Sequence, residues 1–144
     1  MPRTDLDRAP YSEVRPSMPR LLVVDDELLL LEALEVALVG QVEVLATVDP
    51  YEALARIDTG ERYDAILLDV RMPEMDGIEL YERIASISPA QARRVVFMTA
   101  AFSSGDDRLS TLENATLRKP VDLSRIDELF AAPDQRGRSR MLSS

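Results

Sequence analysis

Short apolar runs alternate with amphipathic stretches through most of the chain. Five runs are apolar enough to form strands, at residues 21–24, 42–47, 65–68, 95–98 and 115–117. The first, third and fourth are continuously apolar, reading Leu-Leu-Val-Val, Ala-Ile-Leu-Leu and Val-Val-Phe-Met. A strand that is buried on both faces has this pattern, which is typical of parallel sheets.

The stretches between these runs have helical spacing. Residues 27–39 carry four leucines on one side of a helix, namely Leu30, Leu31, Leu34 and Leu38. Asp49 followed by Pro50 predicts the capped start of a second helix, which ends near residue 57. Further helices are predicted at 77–85, at 106–112 and at 122–130, the last one capped by Asp122.

Strand and helix thus follow each other five times. This order predicts an α/β fold, a doubly wound five-stranded parallel sheet with helices on both faces. Such sheets bind ligands at the carboxyl ends of the strands, near the point where the strand order reverses. The residues that follow the predicted strands are therefore the candidates for function.

The two ends of the chain lack the alternation. Residues 1–19 contain four prolines and mixed charges, and residues 133–144 combine three arginines with glycine and serine. We therefore expect a flexible N-terminal tail at 1–19, one folded domain at 20–132 and a flexible C-terminal tail at 133–144.

Composition limits the chemistry and the partners. The chain has no cysteine and no histidine, which excludes disulfides, thiolate metal sites and catalysis by either residue. Its formal net charge of −9 argues against nucleic acid as a partner, because phosphate backbones bind to basic surfaces. The chain shows neither an apolar signal segment nor an apolar stretch of membrane-spanning length, so we expect a cytoplasmic protein without a membrane partner.

Most of the predicted strands end in a residue that can do chemistry. Asp25 and Asp26 follow the first strand, Asp69 follows the third, Thr99 ends the fourth and Lys119 follows the fifth. Clustered carboxylates repel one another unless a cation binds between them, and Mg²⁺ suits oxygen ligands of this kind. A carboxylate can also attack phosphorus, in a transfer that needs mainly positioning and positive charge. The arrangement indicates a Mg²⁺-dependent phosphoryl acceptor.

Lys119 is the one lysine among 17 basic residues. A compact ammonium fits a crowded phosphoryl pocket better than the wider guanidinium of arginine. Taken singly, these residues also have ordinary explanations: Asp25 and Asp26 as an acidic helix start, Asp69 as a turn residue, Thr99 as a strand-end hydroxyl and Lys119 as a surface lysine. Their joint placement at strand ends favours the phosphoryl site.

The chain resembles the receiver domain of two-component response regulators. The resemblance rests on Asp25-Asp26, on Asp69 with the motif Met-Pro-Glu-Met-Asp-Gly at 72–77, and on the pairs Thr99-Ala100 and Lys119-Pro120. The resemblance covers residues 20–131 and implies the flavodoxin-like receiver fold. It implies a phosphoacceptor, Asp69, and a set of Mg²⁺ ligands: Asp25, Asp26, Asp69 and the main-chain carbonyl of Arg71. It also implies a switch hydroxyl on Thr99, a phosphoryl-binding cation in Lys119 and a cis peptide before Pro120.

The resemblance further implies partners. The phosphodonor would be a phosphohistidine on a sensor histidine kinase or a histidine phosphotransfer protein, and a downstream protein target would read the result. With no output domain in view, we expect a stand-alone receiver, similar to the chemotaxis regulators, that switches a protein-binding surface or relays phosphate. It would promote only its own phosphorylation and dephosphorylation and would not be an enzyme. A receiver-fold adaptor that works without phosphorylation is the alternative.

The chain departs from the family pattern after Thr99. Thr116 stands where the family usually has an aromatic switch residue, and the interval from Thr99 to Lys119 is short, which predicts a short helix at 106–112. This segment is most similar to receiver modules of hybrid histidine kinases. Among rival classes, an aspartate-nucleophile phosphatase would need a second aspartate in place of Arg71. A P-loop nucleotidase would need a Gly-Lys pair, which the chain lacks.

Overall fold

The computed structural model describes residues 18–100 and 107–131, together with the backbone of residues 141–142. The predicted alternation of strands and helices is present within these ranges. In chain order the elements are β1 (Arg20–Val24), α1 (Leu28–Ala37), β2 (Glu43–Thr47), α2 (Pro50–Asp58), β3 (Ala65–Asp69), α3 (Gly77–Ile87), α4 (Pro89–Ala92), β4 (Val95–Thr99), α5 (Asp107–Ser110), β5 (Thr116–Arg118), a 3₁₀ helix (Leu123–Phe130) and β6 (Met141–Leu142).

The strands form one parallel sheet in the order β2-β1-β3-β4-β5-β6. The chain first runs outward from β1 to β2 and then returns past β1 to β3, so the strand order reverses between β1 and β3. This confirms the predicted doubly wound α/β fold. The five predicted strands are β1 to β5, each within one residue of its expected bounds.

The core lies on both faces of the sheet. Leu22 and Ile66 pack on the face covered by α2 and α3, while Leu21 and Leu67 pack on the face covered by α1 and the 3₁₀ helix. All four side chains are fully buried. Because burying one such side chain is worth roughly 1.5–3 kcal/mol, the central strands are firmly held on both sides. Their carboxyl ends are therefore a rigid support for polar side chains.

The helix predicted at 122–130 is a 3₁₀ helix rather than an α-helix, with non-helical backbone at Arg125. Its apolar residues explain the difference, because Leu123, Ile126 and Leu129 recur every third residue, which is the 3₁₀ period. Asp122 caps it as predicted, with its carboxylate 3.0 Å from the N–H of Ser124.

Two elements were not predicted. Helix α4 follows α3 directly, and the Ser88 hydroxyl accepts a hydrogen bond from the N–H of Gln91 at its start. Strand β6 lies within the segment expected to be a flexible tail, and its residues pair in parallel with Thr116 and Leu117 of β5. Residues 1–17 and the remainder of 132–144, including the arginines there, lie outside the described residues.

Helix α5 has four residues, in agreement with the short helix predicted for this segment. The peptide between Lys119 and Pro120 is cis, as the resemblance implied. No helix in the described part of the chain combines the length and the apolar character that crossing a membrane requires.

Candidate functional site

The predicted site residues converge at the carboxyl end of the sheet, where the strand order reverses. Val24 of β1 pairs with Leu68 of β3, so Asp25 and Asp69, the next residue of each strand path, lie side by side. The side chain of Asp26 joins them, and the three residues each offer a carboxylate oxygen within 4.8 Å of the others. Their closeness is a direct result of the parallel register.

Asp25 is the most enclosed of the three carboxylates, with none of its surface exposed. Its Oδ1 accepts a hydrogen bond of 2.8 Å from the N–H of Glu27. Its Oδ2 lies 2.8 Å from Nζ of Lys119 in an ion pair, but it accepts no well-directed hydrogen bond from the described residues. Because a carboxylate oxygen has two lone pairs, this oxygen can still coordinate a cation besides its ion pair with Lys119.

Asp69 is 6% exposed and faces more negative than positive charge. Burial and the neighbouring Asp25 raise the pKa of Asp69 to about 6, although Lys119 and the backbone N–H of Arg71 partly offset this rise. The carboxylate of Asp69 is thus held in a state that is costly without a further cation.

Lys119 provides the positive charge that the described residues bring to the cluster. Its Nζ lies 3.5 Å from Oδ1 of Asp69 and 3.7 Å from Oε1 of Glu27, in addition to the contact with Asp25. Burial alone would lower the pKa of Lys119, but the close contact with Asp25, together with the charges of Asp69 and Glu27, outweighs it and raises that pKa. The ammonium therefore stays charged and faces three carboxylates.

This donor set fits a hard divalent cation. Mg²⁺ prefers one or two carboxylates together with carbonyl oxygens, water and phosphate. Asp26 is exposed and Asp69 nearly buried, so a cation between them could keep several waters on its open side. The pKa of Asp69, which burial and the charge of Asp25 raise, indicates that the cluster lacks positive charge.

The backbone around the site is tightly packed. Gly77, the first residue of α3, donates its N–H to the carbonyl of Val70 at 2.9 Å. A Cβ at position 77 would lie 2.3 Å from the carbonyl oxygen of Asp69, so only glycine fits here. On the other side, the N–H of Lys119 donates to the carbonyl of Thr99 at 2.8 Å and joins the ends of β4 and β5.

Two cavities open beside the acidic cluster and differ in character. A polar cavity of about 380 Å³ is lined by Asp26, the 70–73 segment, Asp76 and Arg108. An apolar groove of about 590 Å³ lies between α1 and the 120–123 segment and reaches Glu27 and Lys119. The site can therefore be approached from a charged side and from an apolar side.

Comparison with known proteins identifies the family and the fold. The sequence pattern of the response regulator receiver domain matches residues 21–131. The chain belongs to this family. Its architecture, with an acidic cluster at the reversal of strand order, is that of a receiver domain of two-component signalling.

Curated relatives of this receiver are longer proteins. The transcriptional regulatory protein PrrA of Mycobacterium tuberculosis is 41% identical over 96 residues, which cover 66% of this chain and 40% of PrrA. The transcriptional regulatory protein TcrA of the same species is 37% identical over 124 residues, covering 81% of this chain and 45% of TcrA. This chain thus spans less than half the length of either relative.

This chain is also similar to a solved structure of a receiver domain. The receiver domain of the sensor histidine kinase PA1611 from Pseudomonas aeruginosa, with a magnesium ion coordinated in its active site cleft, is 27% identical to this chain. The match has a TM-score of 0.66 and covers 79% of this chain and 95% of that domain. Receivers of regulators and of kinases are both similar to this chain, so the finer resemblance to hybrid-kinase receivers stays a prediction.

The structure brings together most of the residues that sequence analysis selected. Asp25, Asp26 and Asp69 lie close together, Lys119 contacts Asp25 and Asp69, and Thr99 lies 8% exposed at the end of the neighbouring strand β4. Their roles, and that of the Arg71 carbonyl as a ligand, stay predictions. Thr116, the departure from the aromatic switch, is buried at the start of β5.

Three features of the site were not predicted. Glu27 contacts Lys119, and Gly77 closes the loop against Asp69; both stand next to residues already selected and could have been found from the motif. The third is an ion pair between Arg108 and Asp76 at the wall of the polar cavity. Nothing in the local sequence indicates that these two residues meet.

Proposed function

We propose that this receiver accepts a phosphoryl group on Asp69 from a phosphohistidine of a sensor histidine kinase or a histidine phosphotransfer protein, in a Mg²⁺-dependent reaction. The observation that carries the proposal is the convergence of Asp25, Asp26 and Asp69 within 4.8 Å, next to Lys119. This is the charge arrangement that an incoming phosphoryl group and its metal ion require.

In the transfer, a carboxylate oxygen of Asp69 forms a bond to phosphorus. The bond between phosphorus and the imidazole nitrogen of the donor breaks, and its electron pair stays on that nitrogen. The Lys119 ammonium, 3.5 Å from Oδ1 of Asp69, is placed to stabilise the charge on the phosphoryl oxygens. The products are an aspartyl phosphate on this chain and an unmodified histidine on the donor.

Mg²⁺ would neutralise charge on the attacking carboxylate and the phosphoryl oxygens. Asp25, Asp26, Asp69 and the main-chain carbonyl of Arg71 would hold it. The magnesium ion in the receiver domain of PA1611 supports this assignment by analogy. The three carboxylates within 4.8 Å of one another support it from this chain alone.

The apolar groove supports a protein as the donor. It runs along α1 to Lys119, and Leu29 at its wall is 77% exposed. An exposed apolar surface that is continuous with a charged site is suited to a macromolecular partner. We further propose that the receiver promotes only its own phosphorylation and dephosphorylation, and that its output is a downstream protein target or a phosphate relay.

Intact-mass spectrometry after incubation with acetyl phosphate and Mg²⁺ tests the proposal. We expect the wild type and an Asp58→Asn control, changed at an exposed site on α2, to gain one phosphoryl mass. Asp69→Asn and the wild type in EDTA should gain none. Equal labelling of Asp69→Asn would overturn the assignment, and no labelling of any protein would favour the phosphorylation-independent adaptor.

A further inference from the structure

Asp76 uses its two carboxylate oxygens for different tasks. Its Oδ1 accepts the N–H of Glu79 at 2.9 Å and so caps the start of α3. Its Oδ2 accepts a hydrogen bond of 2.8 Å from Nη2 of Arg108, in the short helix α5. One side chain therefore joins the loop after the phosphoacceptor strand to a segment that lies 32 residues further along the chain.

This ion pair forms part of the wall of the polar cavity beside the acidic cluster. Asp26 and Arg71 lie on the same cavity wall, so Arg108 faces the side from which the metal ligands are open. A phosphoryl group on Asp69 would add negative charge close to this cavity. It would then compete with Asp76 for the guanidinium of Arg108.

Asp76 is also connected to Asp69 through the backbone. Gly77 follows Asp76, donates its N–H to the carbonyl of Val70 at 2.9 Å and has no room for a Cβ against the carbonyl of Asp69. A shift of the Asp69 backbone therefore moves the residue next to Asp76. Both the charge and the packing of the site act on the same ion pair.

We propose that the Arg108–Asp76 ion pair is a latch that holds α5 against the loop carrying the phosphoacceptor, and that phosphorylation of Asp69 releases it. This inference rests on the proposed function, because the phosphoryl group is the releasing signal. It gives the chain a route to the 107–112 segment that does not need an aromatic residue at Thr116.

The exposure of the pair suits a latch. The side chains of Arg108 and Asp76 are 49% and 26% exposed, and ion pairs of this kind contribute little to stability. A modest change in charge can open such a weak contact, whereas opening a deeply buried ion pair would need a larger change. Leu109 and Leu112 pack partly buried against the core, so α5 remains attached to the domain when the pair opens.

Amide hydrogen exchange of the full chain, with and without acetyl phosphate and Mg²⁺, tests the latch. Arg108→Gln removes its positive charge, and Asp76→Asn removes its negative charge while keeping an N-cap side chain for α3. Arg83→Gln, at an exposed position of α3, is the matched control for loss of one arginine charge.

In the unphosphorylated state, both latch variants should exchange about threefold faster than wild type at residues 107–112, as expected for loss of a weak contact. Phosphorylation should raise exchange in this segment of the wild type and of Arg83→Gln and add little in the latch variants. Residues 77–87 should exchange alike in all four proteins.

Two outcomes separate the failure of the latch from the failure of the proposed function. If intact mass shows Asp69 phosphorylated and the latch variants keep the full phosphorylation-dependent change at 107–112, the latch is wrong and the acceptor function stands. If the wild type gains no phosphoryl mass, the proposed function fails and the latch fails with it. Unchanged exchange at 107–112 in both unphosphorylated variants would also overturn the latch.

Discussion

At the amino end of the sheet the carboxylate of Glu61 lies between two donors, whereas at the carboxyl end the carboxylate of Asp69 lies beside those of Asp25 and Asp26. Tyr63 donates its hydroxyl to Glu61 at 2.6 Å, and Nη1 of Arg56 lies 3.2 Å from the same carboxylate. The hydrogen bond from Tyr63, followed by the contacts with Arg56, lowers the pKa of Glu61. Burial and the charge of Asp25 raise the pKa of Asp69. The two ends thus favour opposite charge states of the same chemical group.

The difference separates what stabilises the fold from what prepares it for a ligand. At the amino end, the carboxylate of Glu61 has Tyr63 and Arg56 as donors, in positions that water also reaches. The carboxyl end collects acids that the parallel register forces together, with Lys119 as their counter-charge. Part of the folding free energy is therefore used to hold the carboxyl end in an unfavourable state, which a cation relieves. Substitutions at the two ends should differ accordingly.

Removing the counter-charge at the carboxyl end should have the largest effect. Lys119→Met leaves Asp25 and Asp69 without their ion pairs, and breaking a buried pair costs about 3 kcal/mol of unfolding free energy. Arg56→Met is the matched variant at the amino end, where Glu61 keeps its hydrogen bond from Tyr63, and it should cost clearly less. Urea denaturation of both variants without metal measures the difference. Equal losses would show that the two ends are energetically alike.

The second test replaces one glycine at each end. Gly77→Ala should destabilise the protein by roughly 2 kcal/mol, because its Cβ cannot fit against the Asp69 carbonyl without moving it. Gly60→Ala should lower the unfolding free energy by about 1 kcal/mol from backbone strain alone, because Gly60 has a φ of +107° and open space around it.

The two glycine variants should also separate in function. Gly77→Ala moves the backbone of the phosphoacceptor, so its labelling by acetyl phosphate should be slowed, while Gly60→Ala should be labelled like wild type. Thermal unfolding and time-resolved intact mass give the two readouts. Normal labelling of a folded Gly77→Ala protein would contradict the inferred role of this contact.

The contrast between the ends also explains what could be predicted from sequence. Continuous apolar runs mark β1, β3 and β4, and a polar residue directly after a buried strand must lie at the sheet edge, so Asp25 and Asp69 could be placed together. The Arg108–Asp76 ion pair could not be predicted from sequence, because it depends on the path of the chain between β4 and β5. The helix at 122–130 was predicted, but its 3₁₀ type was not, since a three-residue apolar period resembles an amphipathic α-helix over so few turns. Strand β6 has two residues, too few for any periodic pattern.

A third prediction concerns the metal. Asp26→Asn removes one anionic ligand from the open side of the cluster and should weaken Mg²⁺ binding about tenfold, or roughly 1.4 kcal/mol. Asp64→Asn, at the amino end, is the control and should bind Mg²⁺ like wild type. Isothermal titration calorimetry with Mg²⁺ alone measures both affinities. Unchanged affinity in Asp26→Asn would place the ion elsewhere in the protein.

The smallest expected effect concerns the pH dependence of the unfolding free energy, to which acids at the two ends of the sheet contribute with opposite signs. Because the pKa of Asp69 is raised to about 6, the folded protein binds this proton more tightly than the unfolded chain does. The unfolding free energy of the metal-free protein should therefore fall as pH rises, by about 1 kcal/mol between roughly pH 5 and 6. Asp69→Asn should lack this fall.

For Glu61, whose pKa is lowered, the contribution to the unfolding free energy has the opposite sign: it is present above the usual glutamate pKa and is lost as pH decreases below it. Glu61→Gln should accordingly lose stability at neutral pH, while Asp69→Asn gains it. Denaturation curves at several pH values measure these differences. A loss of stability at neutral pH in the metal-free Asp69→Asn protein would show that the Asp69 carboxylate of the wild type does not destabilise the fold.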